Sequence, residues 1–144
     1  MLGLPAAVPW NLDALPSERL EVAYRELDRF VAWLRSAEVE VPECWHAHRW
    51  SVYRLAALLH WYADAHQPSH RPRESAEWWA SSVGIEGLRR AWKEANLFSH
   101  GHFDEHGKVA APPSLEESIR RHTFEKARRF PLAITLPASG SNAR

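Results

Sequence analysis

Six of the chain's ten cysteine and histidine side chains fall in two short stretches: Cys44, His46 and His48 in "CWHAH", and His100, His102 and His106 in "SHGHFDEH". Thiolates and imidazoles are the ligands that zinc prefers, four at a time, at bond lengths of about 2.0 to 2.3 Å. Residues four apart share a helix face. Cys44 and His48 therefore point the same way if a helix has begun by residue 44. His100 and His102 follow a third helical region, and an antiparallel return of that region would carry them back to Cys44 and His48. The spacing then gives a zinc site of Cys44, His48, His100 and His102, with His46, Asp104 and His106 as spare ligands. The alternative is plainer: histidines at helix ends and on the surface, beside a cysteine buried for its packing. A third reading is chemical. His102, Asp104, Glu105 and His106 bring acid and base groups together, and a metal with an open position lowers a bound water to a pKa of about 7, as a metal-dependent hydrolase or nuclease requires. The order "HFDEH" departs from the H-E-x-x-H of zinc proteases.

The elements that must position these residues are helical. Leu20, Ala23, Tyr24, Leu27, Phe30, Val31 and Leu34 recur at steps of three and four from Ser17 to about Ala37, which predicts a first helix with Ser17 as its N-cap. "EVEVPE" reads as a connector, since Pro42 removes a strand donor. From about His46 to Ala65, Val52, Leu55, Leu59 and Tyr62 make one stripe and Tyr53, Ala57 and Trp61 a second, the wide apolar surface of a central helix. Pro68 and Pro72 break the pattern. A third helical region over about Glu74 to Asn96 aligns Trp78, Ile85, Leu88, Trp92 and Ala95, and Gly84 and Gly87 predict a break within it. The glycines and paired prolines after Phe98 read as a loop, and Ser114 caps a fourth helix, "LEESIRRHTFEKARRF".

The sum is an all-α, single-domain bundle of four main helices over 17–130. An extended segment precedes it at 1–16, and 131–144 reads as a flexible, disordered C-terminal tail. Formal net charge is +0, so no global field draws the chain to nucleic acid or an acidic membrane, and any such contact needs a local patch. A single cysteine excludes an intrachain disulfide. With no signal-like start and no apolar run of the roughly 18 residues a membrane helix needs, the expected setting is the cytoplasm, without membrane contact.

Two further surfaces suggest partners. Trp78 and Trp79 are about 100° apart on a helix, so one is expected at the rim as an interface anchor, which also admits a homo-oligomer. Arg120, Arg121, Arg128 and Arg129 make the last helix a basic surface for nucleic acid or an acidic partner, although acids near its start and bases near its end also follow the helix dipole. No phosphate loop, nucleophile elbow or dinucleotide fingerprint is present.

Cys44-Trp45, His48, Val52, Leu55, Ala57-Leu58 and Trp61 form a pattern that resembles an uncharacterised family of small helical proteins from actinobacteria, often encoded on plasmids, integrated elements and phages. The likeness extends more loosely from Leu27 to Phe103, taking in Phe30, Trp33-Leu34, Trp78 or Trp79, and Gly101-His102. Relatives often carry a cysteine shortly before the Gly-His pair. This chain has Phe98, Ser99 and His100 there, which leaves His100 as the substitute ligand or leaves the site incomplete. The family has no assigned activity, and no catalytic residue is carried over. The resemblance implies an accessory protein of a mobile element or phage. The expected function is accordingly a non-enzymatic binding protein acting through contacts with a protein partner, stabilised by zinc.

Overall fold

A computed structural model describes residues 12–69, 72–98, 102–103, 109–110 and 112–129. Helix α1, Ser17–Ser36, buries the seven residues its periodicity selects: Leu20, Ala23, Tyr24, Leu27, Phe30, Val31 and Leu34. Its N-cap is Pro16 rather than Ser17. Extended at φ −63° and ψ 159°, Pro16 offers no side-chain cap, and its carbonyl accepts from the backbone N–H groups of Arg19 and Leu20. At the other end Glu38 adopts φ 67°, and the Val39 N–H reaches back to the Leu34 carbonyl at 2.9 Å, the Schellman closure that ends a helix by a left-handed residue.

A one-turn 3-10 helix, Trp45–Ala47, precedes α2, Arg49–Ala65. The expectation of a continuous helix from about His46 is corrected here. His48 is extended (φ −115°, ψ 112°) and serves as the N-cap of α2, so Cys44 and His48 do not lie on one helical row. Helix α2 is nonetheless central, packed against α1 and against both helices that follow it. Val52, Leu55 and Leu59 are buried as expected, joined by Ser51, Ala56 and Leu58, while Ala57 faces solvent.

The third helical region is divided, as its glycines predict, into α3, Pro72–Ala80, and α4, Ile85–Glu94. A Cβ on Gly87 would lie 1.7 Å from the Ser82 carbonyl oxygen, and one on Gly84 would lie 2.2 Å from that of Trp78. The corner between α3 and α4 is therefore closed by backbone touching backbone, which only glycine permits. Trp78 and Trp92 enter the core from these two helices. Each indole N–H has a partner: Leu58 carbonyl oxygen at 2.9 Å for Trp78 and Ser51 Oγ at 2.8 Å for Trp92. That accounts for the buried serine, because an indole N–H left without an acceptor in the core costs about 1 to 3 kcal/mol. Ile85 and Leu88 are buried beside them, and Ala95 is exposed at the helix end.

Asn96 (φ 61°) closes α4 by the same left-handed device, with the Leu97 N–H donating to the Trp92 carbonyl at 3.0 Å. Beyond it, within the stretch expected to be an irregular loop, β1 (His102–Phe103) pairs antiparallel with β2 (Val109–Ala110), His102 opposite Ala110. Helix α5, Leu115–Arg129, is capped as expected: Ser114 Oγ accepts from the Glu117 N–H at 3.1 Å. The architecture is an all-α bundle in which α5 packs on α1 and on the 3-10 turn before α2. Of the expected extended segment 1–16, Leu12–Ala14 instead form a 3-10 turn with Leu12 buried; residues 1–11 and the expected tail 131–144 lie outside the described residues. No described helix is long and apolar enough to cross a membrane.

Replacing Gly87 with Ala should destabilise the fold by more than about 2 kcal/mol in urea unfolding, although Ala gains about 1 kcal/mol in intrinsic helix propensity. An unchanged or raised midpoint would mean that the α3–α4 corner is looser than the Ser82 contact requires.

Candidate functional site

The return of the chain after α4 brings it to the entrance of α2. The Schellman turn at Asn96 delivers Leu97, and the thiol of buried Cys44 donates to the Leu97 carbonyl at 3.8 Å. The antiparallel geometry that a Cys44–His100 approach needs is thus present up to residue 98. Burial pushes the Cys44 thiol above its ordinary pKa, which keeps it protonated at neutral pH unless a cation displaces the proton. His46 is turned instead toward α5, sharing a 2.7 Å hydrogen bond through Nδ1 with Ser118 Oγ, and its burial lowers its pKa. His100, Asp104, Glu105 and His106 lie outside the described residues, and of His102 only the backbone, in β1, is described. Among the described residues no group of three or more His, Cys, Asp or Glu side chains is placed to hold a metal ion.

The tryptophan pair divides as its spacing predicts, one in the core and one at the rim. Trp78 is fully buried, and Trp79, half-buried, meets it edge-on at 4.8 Å and packs on Trp33 at 5.8 Å. Tyr62 joins the cluster at 5.1 Å from Trp78, with His66 stacked on it at 4.3 Å. Helix α3 is therefore held by aromatic packing, in which edge-to-face pairs add to simple area burial.

The chain's most distinctive polar cluster lies at α5. His122, 1 % exposed, accepts through Nδ1 from the Tyr24 hydroxyl on α1 at 2.7 Å. The carboxylate of Asp13, in the 3-10 turn Leu12–Ala14, stands 3.8 Å from Nε2 and itself accepts from the Tyr53 hydroxyl at 2.8 Å. At 3.8 Å that carboxylate is too far to be hydrogen-bonded, but its charge favours the imidazole proton on Nε2, with Nδ1 as the acceptor. Arg49 reaches across from α2 to pair with Glu125. Burial, then the Arg49 charge, depresses the His122 pKa to about 4, while Asp13 and Glu125 oppose the shift in part. Burial likewise pushes the Tyr24 hydroxyl up. This constellation joins four elements and has no local sequence signature. Asp13, Tyr24, Tyr53 and His122 come from separate elements, and His122, which reads in the sequence only as a satisfied polar residue, is satisfied at Nδ1 alone: its buried Nε2 has no hydrogen-bond partner.

The basic residues of α5 divide by direction. Glu116 pairs with Arg25 of α1 at 3.0 Å, and Glu125 with Arg49, so these acids face the body of the protein. Arg120, Arg121 and Arg128 are exposed; Arg121 pairs with Glu117 at 3.0 Å, and the Arg128 guanidinium lies 5.8 Å from the centre of the Phe124 ring. The backbone of Arg129 ends the helix, and its side chain is outside the described residues. Phe124, absent from the sequence-based candidates, is 62 % exposed. Its signal was available: it lies four residues from both Arg120 and Arg128, on the face opposite Ile119 and His122. No protein-family model, curated protein or solved structure matches the chain.

The buried imidazole makes stability depend on pH. Above its ordinary pKa of 6.5 His122 is neutral whether folded or unfolded. As pH falls from 6.5 toward about 4, only the unfolded chain takes the proton, so stability is lost on acidification, by an amount on the order of 3 kcal/mol. Urea unfolding of His122→Gln should show a shallower decline over that window than the parent. Superimposable pH profiles would mean that His122 is not held neutral.

Proposed function

We propose that this is a non-enzymatic binding protein that acts through contacts with a protein partner, with the outward face of α5 as its contact surface. The observation that carries the reading is Phe124, 62 % exposed in the row Arg120–Phe124–Arg128 on a helix whose other side is docked. Aromatic and arginine side chains dominate the energetics of protein interfaces. Three groups with acid–base potential also fit a structural role: His122 is enclosed against Tyr24, His46 is tied to Ser118, and the Cys44 thiol is turned to a backbone carbonyl. A cytoplasmic accessory protein of a mobile element or phage, as the Cys44-Trp45 and His48 pattern implies, is consistent with such a role.

A photo-crosslinking amino acid at position 124, in the cells that make the protein, should trap one discrete protein adduct that the same group at exposed Ala57 does not. Equal yields at the two positions would overturn the reading.

The Cys44–Leu97 contact favours a second, compatible element: a structural zinc ion held by Cys44, His48, His100 and His102. Cys44 lies against the segment that leads into His100, and a bound zinc would replace the thiol proton that burial otherwise retains. Four protein ligands would leave no position for a reactive water. Untagged protein should carry one equivalent of zinc by mass spectrometry and lose thermal stability in a strong chelator. Metal-free protein with an unchanged melting profile would remove zinc from the account.

A further inference from the structure

On a helix advancing 100° per residue, Ser118, Ile119 and His122 define the inward direction of α5, and Phe124 lies almost opposite. Around it sit Arg120, Arg121, Arg128 and one acid, Glu117. Arg121 already shares its charge with Glu117. Among the described residues Arg120 and Arg128 have no carboxylate partner, and they sit one helical turn to either side of Phe124. The ridge from Arg120 to Arg128 is about 12 Å long.

From this placement we infer that the ridge receives an acidic amphipathic segment of a partner protein, in which carboxylates flank one apolar side chain. The inference rests on the reading of α5 as a protein-contact surface and names the chemistry of what binds there. Guanidinium groups bind carboxylates through paired hydrogen bonds. Phe124 supplies the apolar contact, its ring covered on one side by Arg128 and open elsewhere. A second copy of the chain is a poor occupant, because two such ridges would set arginine against arginine. A nucleic-acid strand is also disfavoured. A chain of net charge +0 lacks the long-range field that draws phosphate backbones, and the row offers only two arginines without a carboxylate partner among the described residues. The acids of α5 that would otherwise repel a carboxylate partner, Glu116 and Glu125, are neutralised by Arg25 and Arg49 from the neighbouring helices.

The test is selection of a random peptide display library on the full-length chain, followed by fluorescence anisotropy of the enriched peptides. Enriched sequences should be net acidic with an apolar residue between acids. Their affinity should fall about tenfold or more with Phe124→Ala, and again with the double variant Arg120→Gln/Arg128→Gln. Both changes are on the solvent side of α5, and circular dichroism would verify that each variant is folded. Enrichment of neutral or basic peptides, or of none that depends on Phe124, overturns the inference. If crosslinking from position 124 still traps a protein in that event, the acidic chemistry fails and the contact surface stands. If oligothymidine binds in a Phe124-dependent way and no protein is trapped, both fall.

Discussion

A neutral imidazole enclosed between two helices is the interaction on which the arrangement of α5 depends. The inward stripe of α5 is short of aliphatic area: Ile119 is buried and Leu115 partly so, and the remaining buried positions are Ser118 and His122. Apolar burial alone would leave such a helix free to slide or rotate. Directional contacts fix it instead, His122 to Tyr24 and Ser118 to His46. The rim pairs Arg25–Glu116 and Arg49–Glu125 have both glutamates exposed, and Arg49 alone is mostly buried. They add at most about 1 kcal/mol each, so the buried hydrogen bonds, not the ion pairs, set the register. Rotating α5 by one residue would strand the Tyr24 hydroxyl and the imidazole in the core, at about 1 to 3 kcal/mol for each unsatisfied group.

That register decides what the helix shows to solvent. With His122 inward, Glu116 and Glu125 fall on the flanks and meet Arg25 and Arg49, and Phe124 with its arginines must face out. The surface composition of α5 is thus a consequence of how its buried side is satisfied. The same economy appears elsewhere in the core. Trp92 is accommodated by Ser51 and Trp78 by the Leu58 carbonyl, so neither of these two buried indole N–H groups is stranded. The helix ends are managed by Glu38 and Asn96 in the left-handed region, and the second of these returns the chain to Cys44.

What could be read in the sequence follows from which signals are local. The face of α1, the central role of α2, the break at Gly84 and Gly87, and the Ser114 cap all follow from spacing and residue type within one element, and the structure has each of them. The start of α2 was misplaced because nothing in "CWHAH" distinguishes one turn of 3-10 helix from the first turn of an α-helix. The Schellman turn at Asn96 had a local cue, an asparagine following the last periodic residue, and was missed. Helical geometry separates Trp78 from Trp79, and the structure has that division, Trp78 in the core and Trp79 at its rim; the ring contacts with Trp33 and Tyr62 come from other helices and have no local signal. Asp13, Tyr24, Tyr53 and His122 could not be grouped beforehand, since only the tertiary packing brings them together.

The most direct test of the buried imidazole is its protonation, read by NMR of the chain with 15N-labelled histidines. The His122 ring should be a neutral Nε2–H tautomer with Nδ1 accepting a hydrogen bond, and it should stay neutral as pH is lowered well past 6.5. A His122 ring that takes its proton at its ordinary 6.5, or that shows the Nδ1–H form, would contradict the docking of α5 described above.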